Sequence, residues 1–345
     1  MATPTDRQQL DFLAKIQRLF AEGDFTATYK FALLVALAEL AVEIHVDDGE
    51  RLMLKNEWIA GRFVEMYWPQ ATPYAAKGAS PMVLVQNLGA QAAVVTAIID
   101  FRRTHPGITQ KRAPSAPGYR RMLRKVANTV WAQPIKYLQN LGGTRVEFLY
   151  QMKQGGVELL PGVAFCLRRF QSLIQQQARN GWVRHISANR RNAAALGDSE
   201  GLESFLFETS RQSHALIAEG LQQLSNGRCF YCLRSVTKPD IDHFIPFALY
   251  PRDSAHNFVV AHPACNNSKS NTLAAKDHLS RWVEHVRINT DDLSEIGESA
   301  GLVGDAVASE SVARWAYESG AAAGARAWVR RDLYESIGAN YMDAF

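Results

Sequence analysis

Apolar residues at helical spacing predict an all-α N-terminal region. In residues 7–22 they fall on one helical face, and Gly23 marks the end of that helix. From Tyr29 to Ile44 they cover more than one face, which predicts a buried helix. Residues 56–67 and 82–103 follow the same spacing. We therefore predict a helical domain over residues 1–103.

The middle of the chain changes pattern. Residues 104–118 are rich in Pro and Gly and predict a linker or mobile loop. Beyond it, residues 119–204 form a basic middle region. Its pattern predicts a helix at 119–132, a β-hairpin at 146–160, a helix at 161–180 and a separate short segment at 182–186.

The last part of the chain surrounds a short segment rich in Cys, His, Asp and Asn. A predicted helix at 205–224 leads into it, and another follows at 272–286. Residues 287–345 predict an acidic linker over 291–310 and an Ala-rich helix over 311–338. The predicted fold class is mainly α with a small α+β insert and a helical C-terminal tail.

Composition limits the classes of protein that fit. The chain has 345 residues, a formal net charge of +4 and four cysteines. No apolar run reaches the roughly eighteen residues that a membrane span needs, and the N-terminus lacks a signal-peptide pattern. We therefore expect a cytoplasmic protein without a membrane partner. No G-x4-G-K-[ST] motif occurs, so we expect no bound NTP.

The distribution of charge is more informative than its sum. Residues 101–145 and 159–197 contain no Asp or Glu but many Arg and Lys. Such stripes are typical of polyanion binding, although a solvated basic face without a partner is the alternative. The residues that we select as candidate DNA contacts are Arg120, Arg121, Arg124 and Lys125.

Two ligand pairs predict a metal site. Cys229 and Cys232 form one C-x2-C pair, and His262 and Cys265 form an H-x2-C pair about thirty residues later. At this spacing both side chains of a pair reach one tetrahedral ion, and the Cys3His set suits a structural Zn²⁺. The fourth cysteine, Cys166, lies on the apolar face of a predicted helix and fits plain core packing.

Acid–base side chains lie between these pairs. Asp242 and His243 are adjacent in a predicted strand, Asn257 begins a second strand, and Asn266 and Lys269 lie in a following helix. This order resembles the HNH endonuclease superfamily, the ββα-metal nucleases, over about residues 227–285. Within it, the likeness is greatest to members with a zinc knuckle, such as phage junction resolvases and HNH restriction enzymes. The resemblance implies an HNH nuclease core at 205–286.

The resemblance also implies roles for individual residues. His243 would be the general base, and Asp242 and Asn266 would bind one catalytic divalent ion. Asn257 would hold the hairpin and the orientation of His243, and Lys269 would contact a phosphate. Because Asn266 stands where many relatives have a third His, Mg²⁺ or Mn²⁺ is the expected ion. For His256, beside Asn257, we favour an exposed position on the surface, and a contact to a residue of the site or to a phosphate is the alternative.

Three functions fit these observations. The first is a metal-dependent DNA endonuclease in restriction or antiphage defence, with RNA not excluded as substrate and a protein partner from the same defence system. The second is a nuclease effector or toxin released by a partner, with the acidic segment 291–310 covering a basic channel. The third is a non-catalytic zinc-stabilised module that binds nucleic acid.

Overall fold

The computed structural model describes residues 3–44, 51–197, 201–208 and 211–345. The chain folds into two compact units. The first comprises Met1–Ile108 and Ala113–Glu208, and the second comprises Thr109–Arg112 and Thr209–Phe345. The predicted domains 1–103 and 119–204 thus fall within one unit. No helix in the described ranges is long and apolar enough to cross a bilayer.

The first unit is built mainly from helices. These are α1 (Asp6–Glu22), α2 (Tyr29–Glu43), α3 (Asn56–Tyr67), α4 (Ala93–Thr104), α5 (Tyr119–Val130), α6 (Val163–Arg169), α7 (Gln171–Ala188), α8 (Ala193–Leu196) and α9 (Leu202–Phe207). Helix α2 is buried from Tyr29 to Val42, as its apolar pattern predicted. It packs against α3, α6 and α7 and forms the centre of the apolar core.

Two small antiparallel sheets accompany these helices. Strands β1 (Met53–Lys55), β4 (Tyr150–Lys153) and β5 (Gly156–Leu159) form a sheet in the order β1-β5-β4, and β2 (Asn140–Leu141) pairs with β3 (Thr144–Arg145). The β4–β5 hairpin was predicted. Strand β1 was not, because three residues directly before a helix carry too little periodicity to detect.

Two helix predictions in this unit were wrong. Residues 82–92 are not helical, because the Gln91 side chain accepts hydrogen bonds from the Gln86 and Ala92 N–H groups (3.2 and 2.8 Å) that a helix would need. Conversely, residues 182–186 are not a separate segment but continue α7. Gly181 does not break this helix, because it lies against Phe31: a Cβ at Gly181 would lie 2.4 Å from the ring.

The second unit combines helices with two hairpins. Its elements are α10 (Arg211–Leu224), β6 (Asp240–His243), β7 (Phe258–Ala261), α11 (Pro263–Lys269), α12 (Lys276–Ile288), α13 (Thr290–Ala300), α14 (Ala306–Ala322), β8 (Arg326–Arg330) and β9 (Leu333–Ser336). Strands β6 and β7 pair antiparallel, with His243 opposite Phe258. The order β6-β7-α11 is the predicted ββα arrangement.

The predicted acidic linker and helical tail need correction. Residues 290–300 form α13, which packs against α10 rather than forming a linker. The predicted helix 311–338 ends at Ala322, and Gly324 at φ +64° leads into the β8–β9 hairpin. In this hairpin Trp328 is buried and its indole Nε1 donates to Ser268 Oγ (3.0 Å) on α11. The C-terminal segment is therefore part of the second unit's core.

Candidate active site and metal centre

The loop around Cys229 and Cys232, called the knuckle, is hydrogen-bonded to the ββα segment formed by β6, β7 and α11. The knuckle loop folds back on itself, since Cys229 N–H donates to Arg234 O and Leu233 N–H donates to Cys229 O (both 2.9 Å). Phe230 N–H donates to Val260 O (2.8 Å) and fixes the knuckle to β7. Pro263 occupies the first turn of α11, where its missing N–H costs nothing. This start places His262 just before the helix and Cys265 in its first turn.

The four predicted zinc ligands come together. The ligand atoms of Cys229, Cys232, His262 and Cys265 all lie within 4.8 Å of one another. Within this cluster, Cys232 Sγ and His262 Nδ1 are 3.2 Å apart. In a tetrahedral zinc site with ligands at about 2.0–2.3 Å, neighbouring ligand atoms are about 3.3–3.8 Å apart. The cluster is therefore compact enough to hold one such ion.

Hydrogen bonds and charge also favour a cation here. His262 Nε2 lies 3.0 Å from the Ser235 carbonyl oxygen, so the neutral ring carries its proton on Nε2 and turns the Nδ1 lone pair towards the cluster. Burial opposes ionisation of Cys229, but N–H groups of Cys232, His262 and Tyr231 outweigh it and lower the pKa to about 7. Burial and the neighbouring Cys229 and Cys232 raise the pKa of Cys265 to about 12. A dication would remove this conflict among the thiolates.

Asp242 lies in a buried set of charged and polar groups. Its Oδ2 accepts from the Tyr231 hydroxyl and lies 3.0 Å from the Lys269 ammonium. Lys269 also donates to the His243 carbonyl oxygen (2.9 Å) and is 0% exposed. Burial lowers the pKa of Lys269, and Asp242 opposes this shift. Burial, reinforced by Asp242, raises the pKa of Tyr231 well above its usual value.

His243 lies on the side of β6 opposite to Asp242, at the strand end that precedes Pro246. Its Nε2 is 2.6 Å from Asp253 Oδ1, and its ring packs against Phe247 and Phe258. The side chain retains 21% exposure, whereas that of Asp253 retains 7%. Asp253 lies in the loop between β6 and β7 and was not selected from the sequence.

Asn257 and Asn266 tie neighbouring segments together. The Asn257 amide accepts from Ile245 N–H (2.8 Å) and donates to Ile245 O (2.9 Å), which holds the chain just after β6. Among the described residues, no hydrogen bond joins the Asn257 amide to the His243 ring, which Asp253 contacts instead. Asn266 donates through Nδ2 to Asp240 Oδ2 (3.1 Å), so α11 is joined to β6.

The structure changes the interpretation of two residues. Lys269 was expected to contact a phosphate, but its ammonium is buried against Asp242 and is closed to solvent. His256 was expected on the surface, but it is 1% exposed, and its Nε2 lies 3.5 Å from Ser294 Oγ on α13. Both positions were misread because neighbouring elements cover them, which local sequence does not encode.

The candidate DNA contacts lie in the first unit. Arg120, Arg121, Arg124 and Lys125 are all exposed on α5, whose opposite face buries Met122, Val126 and Val130. Among the described residues, no carboxylate forms a salt bridge with any of the four. These cations therefore remain available to an external anion.

Asp242 and Asn266, near β6, offer oxygen atoms of the kind that a hard divalent cation prefers. Asp242 Oδ2 is engaged by Tyr231 and Lys269, so the free atom is Oδ1. Asn266 uses its Nδ2 for Asp240, which leaves its carbonyl oxygen Oδ1 as an acceptor. One carboxylate oxygen and one amide oxygen suit Mg²⁺ or Mn²⁺, which keep several waters and take the rest of their ligands from phosphate. Lys269 reduces the local negative charge and leaves Asp242 with one oxygen, Oδ1, that could bind a cation.

Comparison with known families agrees with this geometry. A family model described as HNH endonuclease matches residues 230–275, which contain three of the four cluster ligands (Cys232, His262 and Cys265), β6, β7 and α11. This segment of the second unit is therefore similar to HNH endonucleases. A second model, described as a domain of unknown function (DUF8808), matches residues 8–203, more than half of the chain. The chain belongs to this DUF8808 family. No curated protein matches it.

Sequence reasoning missed three residues of the site. Asp240 could have been found, because Asp240 and Asp242 alternate along one strand and share a face. Tyr231 lies between two zinc ligands, where its hydroxyl has no local signal. Asp253 is ten residues from His243, and only the course of the intervening loop brings the two together.

Proposed function

We propose that the protein is a divalent-metal-dependent endonuclease that hydrolyses phosphodiester bonds in DNA. The observation that carries this proposal is His243. Its Nε2 is held by Asp253, its side chain is partly open to solvent, and no described protein group hydrogen-bonds to its Nδ1. A base must offer a free lone pair to water, and Nδ1 does so. The match to HNH endonucleases over the same residues supports this role.

The reaction follows from these positions. His243 Nδ1 takes a proton from a water molecule, whose oxygen attacks phosphorus while the bond to the 3′ oxygen breaks. The products are a 5′-phosphate and, after proton uptake, a 3′-hydroxyl. A divalent ion held by Asp242 Oδ1 and Asn266 Oδ1 would stabilise the charge that develops on the phosphoryl and leaving oxygens. Asn257 keeps the chain beyond His243 in place through Ile245.

The other parts of the molecule support a nucleic-acid substrate. The zinc cluster fixes the knuckle against β7, and its role is structural because all four tetrahedral positions are filled by protein. The exposed cations of α5 supply unpaired charge for phosphates. The resemblance to HNH restriction enzymes supports a role in restriction or antiphage defence.

Regulation by the acidic segment finds less support. Helix α13 is packed against α10, with Ile296 against Gly220, so it is not a loose polyanion. Removal of residues 287–345 would take away the buried Tyr317 and Trp328 and damage the unit itself. Neutralising the exposed acids Asp291, Asp292 and Glu295 is the cleaner perturbation, and unchanged cleavage would exclude masking by these acids.

A cleavage panel tests the proposal. Double-stranded, single-stranded, modified and branched DNA, together with RNA, are incubated with Mg²⁺, Mn²⁺ or EDTA. We expect cleavage of at least one DNA form with a divalent ion, loss of cleavage in EDTA and loss in a folded, zinc-loaded His243→Ala variant. If no substrate is cut under any condition, the enzyme is excluded, and a non-catalytic binding module becomes the function. If only RNA is cut, the substrate assignment is wrong.

A further inference from the structure

Among the described residues, Asp253 is the group that contacts Nε2 of the His243 ring. Its Oδ1 lies 2.6 Å from His243 Nε2, and the Asp253 side chain is only 7% exposed. A hydrogen bond to a carboxylate at this distance is short and charge-assisted. The contact joins the loop between β6 and β7 to the end of β6. The sequence predicted that Asn257 would orient His243, and it gave no role to Asp253.

The hydrogen bond determines which nitrogen of the ring can act. An ionised carboxylate only accepts hydrogen bonds, so the proton must reside on Nε2. In the neutral ring the lone pair is then on Nδ1, which no described protein group engages. Free imidazole distributes its proton between both nitrogens, and only one of the two forms would be productive here. The carboxylate therefore selects a tautomer.

The surroundings restrict the ring in its remaining degrees of freedom. Phe258, opposite His243 in the β6–β7 register, has its ring centroid 4.5 Å from the imidazole, and Phe247 lies at 5.3 Å. Both rings are tilted to the imidazole, by 54° and 53°. Apolar packing fixes the plane of the ring but cannot distinguish its two nitrogens. Only the hydrogen bond to Asp253 does that.

We propose that Asp253 is a positioning residue for the nuclease reaction, holding His243 with Nε2 protonated and Nδ1 directed at the attacking water. This inference rests on the proposed function. Asp253 touches neither substrate nor metal in this role; it acts through His243. It also stabilises the imidazolium that forms when Nδ1 accepts the proton, because the carboxylate then faces a full positive charge.

The test uses the full-length, zinc-loaded protein and four variants: Asp253→Ala, Asp253→Asn, His243→Ala and the double variant His243→Ala/Asp253→Ala. We expect Asp253→Ala to lower kcat by about 10- to 100-fold, with KM nearly unchanged. This is the range found for groups that orient a metal-binding histidine through its second ring nitrogen. In Asp253→Asn, the amide oxygen still accepts the Nε2 proton, so part of the rate should return. In the His243→Ala background, Asp253→Ala should cause no further loss.

Ring ¹⁵N NMR of His243 supplies a readout that does not depend on activity. In the wild type we expect the Nε2–H tautomer to dominate, and in Asp253→Ala we expect a mixture of both tautomers. Zinc content and near-ultraviolet circular dichroism verify that each variant is folded. Asp332→Asn, which removes the same charge from an exposed turn, is the matched control and should behave as wild type.

The outcomes separate this inference from the proposed function. Wild-type kcat in a folded Asp253→Ala variant, or equal loss in the presence and absence of His243, would overturn the positioning role. An Nδ1–H tautomer in the wild type would overturn it as well. If the wild type cuts nothing while NMR shows the Nε2–H tautomer that Asp253→Ala abolishes, the proposed function fails and the contact keeps only its orienting effect.

Discussion

The two units bury polar groups of different kinds. In the first unit the buried polar residues are mostly neutral amides, which include Gln70, Gln86, Gln139, Gln171, Gln175, Asn189 and Asn192. In the second unit most of them can ionise, namely Asp242, Lys269, His256 and His278, and a thiolate cluster is added. The buried amides of the first unit do not ionise, so their contribution to stability does not change with pH. The second unit should therefore be the one whose stability depends on solution chemistry.

Two examples show how differently the units use these groups. Gln139 accepts hydrogen bonds from Phe148, Leu149 and Tyr150 N–H groups (2.8–3.2 Å), so one neutral side chain satisfies a turn of backbone. Lys269 instead neutralises the Asp242 carboxylate, our proposed ligand for the catalytic ion, and this buried pair is favourable only while both groups are charged. The Gln139 hydrogen bonds contribute to stability at any pH. The Lys269–Asp242 pair contributes only while both groups are charged.

The largest effect should come from the zinc cluster. In Cys265→Ser, or after prolonged chelation, we expect the second unit to unfold while the first remains folded. Structural zinc contributes about 10–16 kcal/mol in zinc-finger peptides, which exceeds the free energy of unfolding of most domains. Limited proteolysis should then degrade residues 211–345 and leave a fragment close to residues 3–208.

Cys166→Ala is the matched control for the zinc prediction. Cys166 is a buried cysteine in the first unit, and burial raises its pKa to about 11, as expected of an inert thiol. This variant should retain its zinc and the fold of the second unit. A Cys265→Ser protein that is zinc-free yet equally resistant to protease would show that the cluster is dispensable.

A smaller but still large effect is expected at Lys269. Lys269→Met keeps the apolar stem but leaves the Asp242 carboxylate buried without its cation, which costs about 3–5 kcal/mol. The measurement is urea unfolding of the zinc-loaded protein. Adding Asp242→Asn to Lys269→Met should recover part of the loss, because no unpaired charge is then buried.

A surface pair controls for the charge change at Lys269. Lys276 lies 3.2 Å from Asp343, but both side chains are partly or mostly exposed. Lys276→Met should therefore cost no more than about 1 kcal/mol. A Lys269→Met variant as stable as Lys276→Met would mean that Asp242 is not charged in its buried position.

The sequence predicted the parts of this fold that depend on short-range pattern. Helix α2 and the four zinc ligands were predicted because spacing along the chain alone defines them. The HNH resemblance followed from one short segment, and an HNH endonuclease family model matches residues 230–275 of that segment. Asp242, His243, Asn257 and Asn266 were selected for the same reason, and their catalytic roles stay predictions.

What the sequence did not reveal depends on contacts between distant positions. Gly181 continues a helix because it meets Phe31, 150 residues away in sequence, and Trp328 ends in a hairpin because the core of the second unit covers it. The burial of Lys269 and His256 has the same origin. Residues that can carry a charge are usually exposed, so only the packed structure shows that Lys269 and His256 are buried.

The smallest predicted effect concerns pH. Burial lowers the pKa of His256, His278 and His285 in the second unit, and of His185 in the first. The charges nearest to His256 are Asp305 and Lys111, with His285 beside them, and those nearest to His278 are Arg281, Asp277 and Glu335. In the unfolded chain these histidines bind protons below about pH 6.5, whereas in the folded chain they stay neutral to lower pH.

The contribution of these histidines to stability should therefore be constant above about pH 6.5 and decrease as pH falls from there towards the lowered folded pKa values, because the unfolded state then binds more protons. The second unit, with three such histidines against one, should lose more. We expect its unfolding midpoint in urea, followed with excess zinc present, to fall between pH 7.5 and pH 5.5. In His278→Gln, whose amide can still donate to Val329 O as His278 Nε2 does (2.9 Å), that difference should shrink. An equal pH dependence in wild type and variant would show that His278 does not contribute to the acid sensitivity.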